Sequence, residues 1–452
     1  MAGLYTKIVS KLFFPLHEWL KGHKTVSIHN NLEESQWLSK DKILAKQQQR
    51  LQKFIAQISI QVPYYQQLLQ EHNLSAEQVE NVQDLAKLPF LDKHTIKDNF
   101  SQMRATDSGA VTPFTTGGSS GNPLTFLLSS ERVSHDVAEK WRATRWWDVD
   151  IGDKEIVAWG SPIELGAQDK VRILRDKLFR STLIPAFDMD ESKILGFIKQ
   201  IQQTNPTMLF GYPSVFHLIA KTAQQHQIEL SQLNVKVIFV TSERLYPYQK
   251  EMIEQVFNAP VANGYGSRDA GFIAHQCPEG SMHISAEDII VEIVDKQGNV
   301  VSEGEKGEIV VTHLATGDFP FVRYKTGDIA AIDSKTCPCG RGLPVLKDIE
   351  GRSTDFVVAA DGTLMHGLAL IYVIRELDGV EAFKIIQETK FKTRIELVPT
   401  VKGVLSQQLS KSIISGFKAR LGEDVTIEIE VVDNIAAEKS GKFRYVISKV
   451  ES

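Results

Sequence analysis

The sequence predicts an α/β protein, with a large multi-sheet amino-terminal domain over residues 1–350 and a small α+β domain over 351–452. Three observations carry this reading. Between 150 and 330 short apolar segments alternate with amphipathic helices, the pattern of βα units feeding a mostly parallel sheet. From about 288 the apolar period drops to two with turns between, which is the pattern of antiparallel strands. Past Gly351 two strands, a helix and a third strand fill about 100 residues, an ordinary domain size.

Taken in order, the first 24 residues hold Leu4, Ile8 and Leu12 at four-residue spacing with Lys7 and Lys11 between them. This predicts a helix, docked on its own domain in preference to lying on a membrane surface. Residues 32–110 read as helical and polar. Ile43, Leu44, Leu51, Phe54, Ile55 and Ile58 recur at helical spacing, and Pro63 interrupts the pattern because proline cannot donate to a helix ladder. VTPFTT and LTFLL, from 111, are strand-like and flank a glycine-rich stretch. EIVAWG, TMLFGY and VKVIFV then alternate with helices near 190–203, 213–227 and 246–257. DIIVEIVD, GEIVVTHL and FVRYKTGDIAAI read as antiparallel strands. FKIIQET and TRIELVP pair, VLSQQLSKSIISGFKARLG is an amphipathic helix, and VTIEIEVVD is the last strand predicted.

With 452 residues, 42% hydrophobic and 24% charged, the composition excludes collagen, a disordered tail and a disulfide-stapled mini-protein. A net charge of −5 without a basic block gives no electrostatic reason to expect nucleic acid as a partner. Three cysteines suit a reducing compartment, so a cytoplasmic location is expected. No apolar run reaches the roughly 20 residues of a membrane span, and the amino terminus lacks a signal-peptide cleavage site.

The most informative segment is Thr115-Thr116-Gly117-Gly118-Ser119-Ser120-Gly121-Asn122-Pro123. Small residues let backbone N–H groups approach an oxyanion, and the hydroxyls add donors, so such a loop can cradle phosphate. It is not a Walker A loop, because the Gly-Lys-Ser/Thr ending is missing. It also spells Gly-x-Ser-x-Gly, but a nucleophile elbow needs a helix after the serine, and here Pro123 and a strand follow. Downstream come Ser242-Glu243, Asn263-Gly264-Tyr265-Gly266-Ser267-Arg268-Asp269, Arg323-Tyr324-Lys325-Thr326-Gly327-Asp328, Gly351-Arg352-Ser353-Thr354-Asp355 and Ser440-Gly441-Lys442-Phe443-Arg444.

In this order and spacing, from about Pro63 to the carboxyl terminus, the set resembles the adenylate-forming acyl ligases. The likeness is greatest to the phenylacetate–coenzyme A ligase branch with its capsular-polysaccharide relatives. The resemblance implies a large adenylation domain and a small mobile carboxyl-terminal domain. Thr115–Gly121 would hold the β- and γ-phosphates of ATP. Ser242, Glu243, Asn263, Gly264, Tyr265, Gly266 and Ser267 would line the adenine and ribose pocket, with the tyrosine stacked on the base. Asp328 would accept from the ribose hydroxyls, Arg352 would sit at the domain junction, and Asp355 near the hinge. Lys442 would bring carboxylate and α-phosphate together, and Asp269 would help bind Mg2+. Tyr212, Pro213 and Ser214, with Trp159 and Gly160, either line the acid pocket or simply pack at strand ends. Three departures stand out: Asn122 replaces a common lysine, Arg268-Asp269 replaces a hydroxyl–glutamate pair, and AADGTLMHGLAL lacks the usual Arg-Gly.

The cysteines fall in two turn-like clusters, Cys277 with His283 and Cys337 with Cys339. Cys3His is a common structural zinc set, and four protein ligands leave no open position for catalysis. His275 competes with His283 for the fourth place. The expected function is ATP-dependent activation of a carboxylic acid as an acyl-adenylate, with coenzyme A the acceptor that the resemblance favours. Direct acylation of an amine or hydroxyl in surface-polysaccharide synthesis is the alternative, and monomer and homodimer both remain open. A fold kept without turnover is disfavoured by Lys442, Asp328 and Arg352.

Overall fold

The computed structural model describes residues 3–116, 124–159, 170–186, 191–350, 356–362, 364–375, 377–401, 404–435 and 445–450. The amino-terminal part is helical. Helix α1 (Leu4–Ile8), a π-helical turn (Val9–Phe13) and α2 (Phe14–Leu20) run on from one another, docked through the buried Val9 and Phe14. Helices α3 (Thr25–Ser35), α4 (Lys40–Gln61), α5 (Pro63–Glu71) and α6 (Lys93–Asp98) follow. Pro63 ends α4 and opens α5, where a missing N–H costs nothing in the first turn. The predicted stripe of α4 is buried except Leu44, which at 37% exposure lies outside it, adjacent in sequence to the fully buried Ile43.

Hairpin β1 (Val111–Thr115) and β2 (Thr125–Ser129) leads into α7 (Ser130–Arg145). Then come β3 (Glu155–Trp159), α8 (Lys170–Phe179), β4 (Ser181–Pro185), α9 (Glu191–Thr204), β5 (Met208–Gly211), α10 (Pro213–Gln225), β6 (Val237–Thr241), α11 (Pro247–Phe257) and β7 (Val261–Ser267). The predicted helices near 190, 213 and 246 are these last three. The antiparallel set is β8 (Gly271–Gln276), β9 (Met282–Ile284), β10 (Ile289–Val294), β11 (Gly307–His313), β12 (Phe321–Asp333) and β13 (Val345–Glu350).

Among the described residues these form one sheet, β10-β11-β12-β13-β9-β8-β7-β6-β5-β3-β4. Strands β4, β3, β5, β6 and β7 pair in parallel. From β7 to β10 every pairing is antiparallel. The change of sense occurs within a continuous sheet, so the two patterns legible in the sequence are halves of one layer. The parallel half packs against α9, α10 and α11 through Ile198, Phe216, Ile219, Ile253 and Phe257.

Further on lie hairpin β14 (Phe356–Val358) and β15 (Leu364–His366), α12 (Leu368–Arg375), β16 (Val380–Thr389), β17 (Lys392–Pro399), α13 (Gln407–Leu421), β18 (Thr426–Val431) and β19 (Val446–Ser448). The predicted β16–β17 pair is antiparallel, and β18 and β19 flank it in parallel as β18-β17-β16-β19. Its core is Ile385, Ile395, Ile413 and Phe417. Among the elements that the sequence reading missed are β19, three residues too short to show a period, and α12, a short and almost wholly apolar run that reads equally as a buried strand.

Buried charge joins the helical layer to the sheet. Arg142 of α7 bonds Glu139 at 2.6 Å and Glu287 at 2.8 Å. Asp288 accepts from Arg50 and, at 2.6 Å, pairs with His135. Burial works against the ionised Asp288, but His135 and Arg50 outweigh it and hold its carboxyl below the usual range. Three buried histidines go the other way for a base: burial lowers His29 to about 4, His275 to about 3 and His313 to about 4. A base whose folded pKa is depressed stabilises the fold above its unfolded value and loses that contribution as pH falls. Each of these rings should therefore withdraw about 2 kcal/mol of stability between pH 6.5 and pH 5, while Glu139, whose carboxyl burial pushes up to about 8, works in the opposite sense. Titration of the individual imidazole rings by NMR checks this, and rings that take up their protons near pH 6.5 in the folded protein would refute their neutral burial.

Candidate active site and cysteine–histidine cluster

Several of the sequence-selected residues lie at the carboxyl ends of the parallel strands. Trp159 ends β3, Tyr212 follows β5, Ser242 and Glu243 follow β6, and Asn263–Ser267 lie in β7. That edge, where strand order and sense change, is where open α/β sheets bind ligands. Ser242 holds a left-handed backbone, φ 70°, that turns the chain away from β6. Glu243 accepts a hydrogen bond from the Ser214 N–H at 3.3 Å, in the first turn of α10, where a carboxylate complements the helix dipole. Asn263 is fixed through its own N–H, which donates to Gln276 at 3.0 Å.

The Tyr265 hydroxyl donates to Asp328 at 2.9 Å, joining two predicted nucleotide residues 63 positions apart. A second carboxylate stands nearby in the chain. Asp269 is buried and accepts from Ser267 and, at 2.7 Å, from the Tyr324 hydroxyl. Burial pushes this carboxyl up, but the two hydroxyls and the charge of Lys93 outweigh it, so the pKa lies below the ordinary value and Asp269 is ionised. Tyr324 was not singled out from the sequence. It lies inside the Arg-Tyr-Lys-Thr-Gly-Asp run, but nothing in the spacing pairs it with Asp269.

That run divides its labour along β12. Arg323, at φ 52°, turns inward to Glu292 at 3.0 Å and to the Leu88 carbonyl at 2.7 Å. The pairing with β11 shifts register between Lys325 and Ile329, where Gly327 takes φ 79°. This bulge breaks the simple alternation and re-aims the Asp328 carboxylate.

Thr115 and Thr116 tie the arms of the β1–β2 hairpin. Thr115 and Thr125 hydroxyls meet at 3.0 Å, and Thr116 exchanges two 2.9 Å bonds with Leu124. Arg268 stacks its guanidinium 5.0 Å from the Phe114 ring, linking the end of β7 to this hairpin. Gly117, Gly118, Ser119, Ser120, Gly121, Gly160, Arg352, Asp355 and Lys442 lie outside the described residues.

Beside the polar cluster is an aromatic ladder. Trp159 stacks on Tyr212 at 4.7 Å and on Phe210 at 6.1 Å, and Phe210 on Phe239 at 5.9 Å. Lys140 lies 4.4 Å over Phe210. Pro213 opens α10 and sets its first turn. The wall includes Phe210, which opens the Phe210–Ser214 stretch expected to line the acid pocket, and Phe239, which was not singled out because an apolar strand residue gives no signal beyond packing.

Cys277, His283, Cys337 and Cys339 come together, with one ligand atom from each within 4.8 Å of every other. Cys277 and Cys337 sulfurs are 3.6 Å apart, and Cys339 Sγ is 3.2 Å from His283 Nε2. Tetrahedral zinc at its ordinary bond lengths needs ligand edges of about 3.5–3.8 Å, so the donor set fits such an ion with small adjustment. The other ring nitrogen, Nδ1, is 3.2 Å from the Leu343 carbonyl, the outer partner that orients a ligating imidazole. Burial lowers His283 to about 4, which keeps the ring neutral. His275 is not in the cluster. It lies between the rings of Phe239 and Phe272, at 5.9 and 5.5 Å.

Residues 39–316 match the AMP-binding enzyme family, and residues 357–449 match the CapK C-terminal domain. The chain is therefore an adenylate-forming enzyme and belongs to the AMP-binding enzyme family. It is 26% identical to Protein CapK of Staphylococcus aureus over 416 residues, covering 90% of this chain and 89% of that one. It is 22% identical to phenylacetate-coenzyme A ligase of Thermus thermophilus, covering 72% of this chain and 74% of the relative. In fold it resembles 2-hydroxyisobutyryl-CoA ligase in complex with 2-HIB-AMP and CoA, at TM-score 0.63, 19% identity and coverage of 91% and 90%.

The β7 backbone tolerates no side chain at Gly266, where a Cβ would stand 2.3 Å from the Gly271 carbonyl oxygen. Gly266→Ala should cost about 1–3 kcal/mol, as overpacking does. Gly109→Ala, with nothing within 4 Å, should be close to neutral. Thermal melts of the two variants check this, and equal behaviour would contradict the close approach of β7 and β8.

Proposed function

We propose that the chain is an ATP-dependent acid ligase that forms an acyl-adenylate with release of pyrophosphate and passes the acyl group to coenzyme A. The observation that carries this is the pairing of Tyr265 with Asp328, with the ionised Asp269 in the turn that follows β7, in a chain of the AMP-binding family. Asp328 would accept from the ribose hydroxyls, and the Tyr265 hydroxyl holds it in place. Tyr265 presents its ring to the base, and Ser242–Glu243 with Asn263–Ser267 line the nucleotide pocket. Residues Thr115–Gly121 cradle the phosphates. Asp269 is the carboxylate that would hold Mg2+, an ion that would supply positive charge to the phosphates. Arg352 serves the junction between domains divided at 350/351. Lys442, carried by the smaller domain, brings the two anions together. A free carboxylate is a poor electrophile, and the adenylate supplies AMP as a good leaving group.

The ladder Trp159–Tyr212 supports a flat or aryl acid, since stacked rings present an apolar face. A second reading changes only the acceptor, to an amine or hydroxyl in capsule polysaccharide synthesis. It is favoured by the match to Protein CapK along 90% of the chain, against 72% for the phenylacetate ligase. Pyrophosphate release measured over aryl and aliphatic acids, with and without coenzyme A, tests both readings. A signal that Lys442→Ala abolishes while ATP still binds is expected. Turnover that requires coenzyme A supports the first acceptor, and release with an amino sugar alone supports the second. No release with any acid, or full release by Lys442→Ala, would contradict the mechanism.

We further propose that Cys277, His283, Cys337 and Cys339 hold a structural zinc ion. The cluster fastens the β8–β9 turn to the segment between β12 and β13, and so braces the strands next to β7. Metal-binding free energy would then appear as folding free energy. Chelation should lower the melting temperature by several degrees, and zinc should restore it. An unchanged melting curve in protein shown to carry no metal would refute the ion.

A further inference from the structure

The rod formed by α1, the π turn and α2 is docked on one side only. Val9 and Phe14 pack with Ile151 and Phe179, Thr6 donates to Asp153 at 2.8 Å, and the Tyr5 hydroxyl donates to the Leu178 carbonyl at 2.9 Å. The other side carries Leu4, Ile8, Leu12, Leu16 and Leu20, every fourth residue, each exposed by 38–78%, with Trp19 at 72%. With about 3.6 residues per turn, such a stripe would wind around an unbroken α-helix. The wider π turn at Val9–Phe13 takes up the difference and keeps the stripe on one face.

Helix α8 extends the patch. Ring contacts of Phe179 with Phe14 and His17, and of Arg180 with Tyr5, hold it against the rod. It exposes Ile173, Leu174 and Leu178 at 54%, 69% and 36%. Ten of the nineteen large apolar side chains exposed among the described residues therefore lie on these two elements. A concentration of this kind marks an interaction surface.

Charge identifies the partner. Lys7, Lys11, Lys21, Lys24 and Lys177 are exposed around the patch, on a chain whose net charge is −5. Glu18, the one acid in the first 24 residues, is buried and bonded to His17, His23 and Thr25. Asp176 is held by Arg175. An apolar stripe with an exposed tryptophan and a lysine rim is the composition of a helix that lies in a membrane interface. A symmetric contact between two copies would bring the lysine rims together, which opposes it.

We propose that this face seats the protein on an anionic lipid bilayer, with the rod in the headgroup plane and Leu12, Leu16 and Trp19 inserted. The inference does not depend on the reaction proposed above. It is tested by co-sedimentation of the full chain with vesicles of phosphatidylglycerol in phosphatidylcholine, and of phosphatidylcholine alone. Binding to the anionic vesicles only, weakened by salt, is expected. Lys7→Glu with Lys11→Glu should reduce it at least about tenfold, and Leu12→Gln with Leu16→Gln and Trp19→Gln should abolish it. All five positions are exposed, so unchanged melting curves are expected; should the apolar triple variant fail to fold, the lysine pair still decides. Protein left in the supernatant with anionic vesicles, or binding indifferent to both sets of substitutions, overturns the proposal. So does a dimer on size exclusion that the apolar variant dissociates without any vesicle binding.

Discussion

The site depends on one strand hydrogen-bonded in two senses. β7 runs parallel to β6 on one side and antiparallel to β8 on the other. A parallel neighbour brings a βα turn to its carboxyl end, whereas an antiparallel neighbour returns the chain at once. At β7 both happen together: Ser242 and Glu243 arrive from the β6 turn, and Ser267–Asp269 form the tight return into β8. The return requires close backbone approach, and Gly266 allows it. The residues between, Asn263 and Tyr265, are thereby held at the edge that faces both turns.

The antiparallel half contributes through β12. Its alternation is broken twice, by the left-handed Arg323 and by the bulge at Gly327. Both departures cost conformational energy, and each is matched by a strong interaction. Arg323 gains a buried ion pair with Glu292, and Asp328 gains the Tyr265 hydroxyl. Tyr324, between them, reaches Asp269. Three consecutive roles on one strand join the antiparallel sheet to the strand ends of the parallel one.

Behind this edge, Arg142, Glu139 and Glu287 form a network in which every group is almost fully buried. Burying such charges gains little net stability, since desolvation offsets attraction. Their effect is geometric: a displaced α7 would carry Arg142 away from Glu287 and leave that buried carboxylate without its partner. The amino-terminal helices pack on α7 in turn, and this leaves the outer face of the first rod pointing to solvent.

The sequence by itself determined the βα alternation, the antiparallel strands after 288, the β16–β17 pair and the segments that hold the candidate site, because each has a local period or a local motif. Helix boundaries were legible where Pro63, Pro213 and Pro247 start a turn. The pairings were not. Tyr265 with Asp328, Tyr324 with Asp269, and His283 rather than His275 with the cysteines are set by strand order and by bulges that displace side chains by one position. Such choices depend on which strands become neighbours across tens of residues, and no local pattern encodes that. Leu44 and Ile43 make the same point in small: both are apolar and adjacent, and only the packing of α4 against the sheet decided which one is buried.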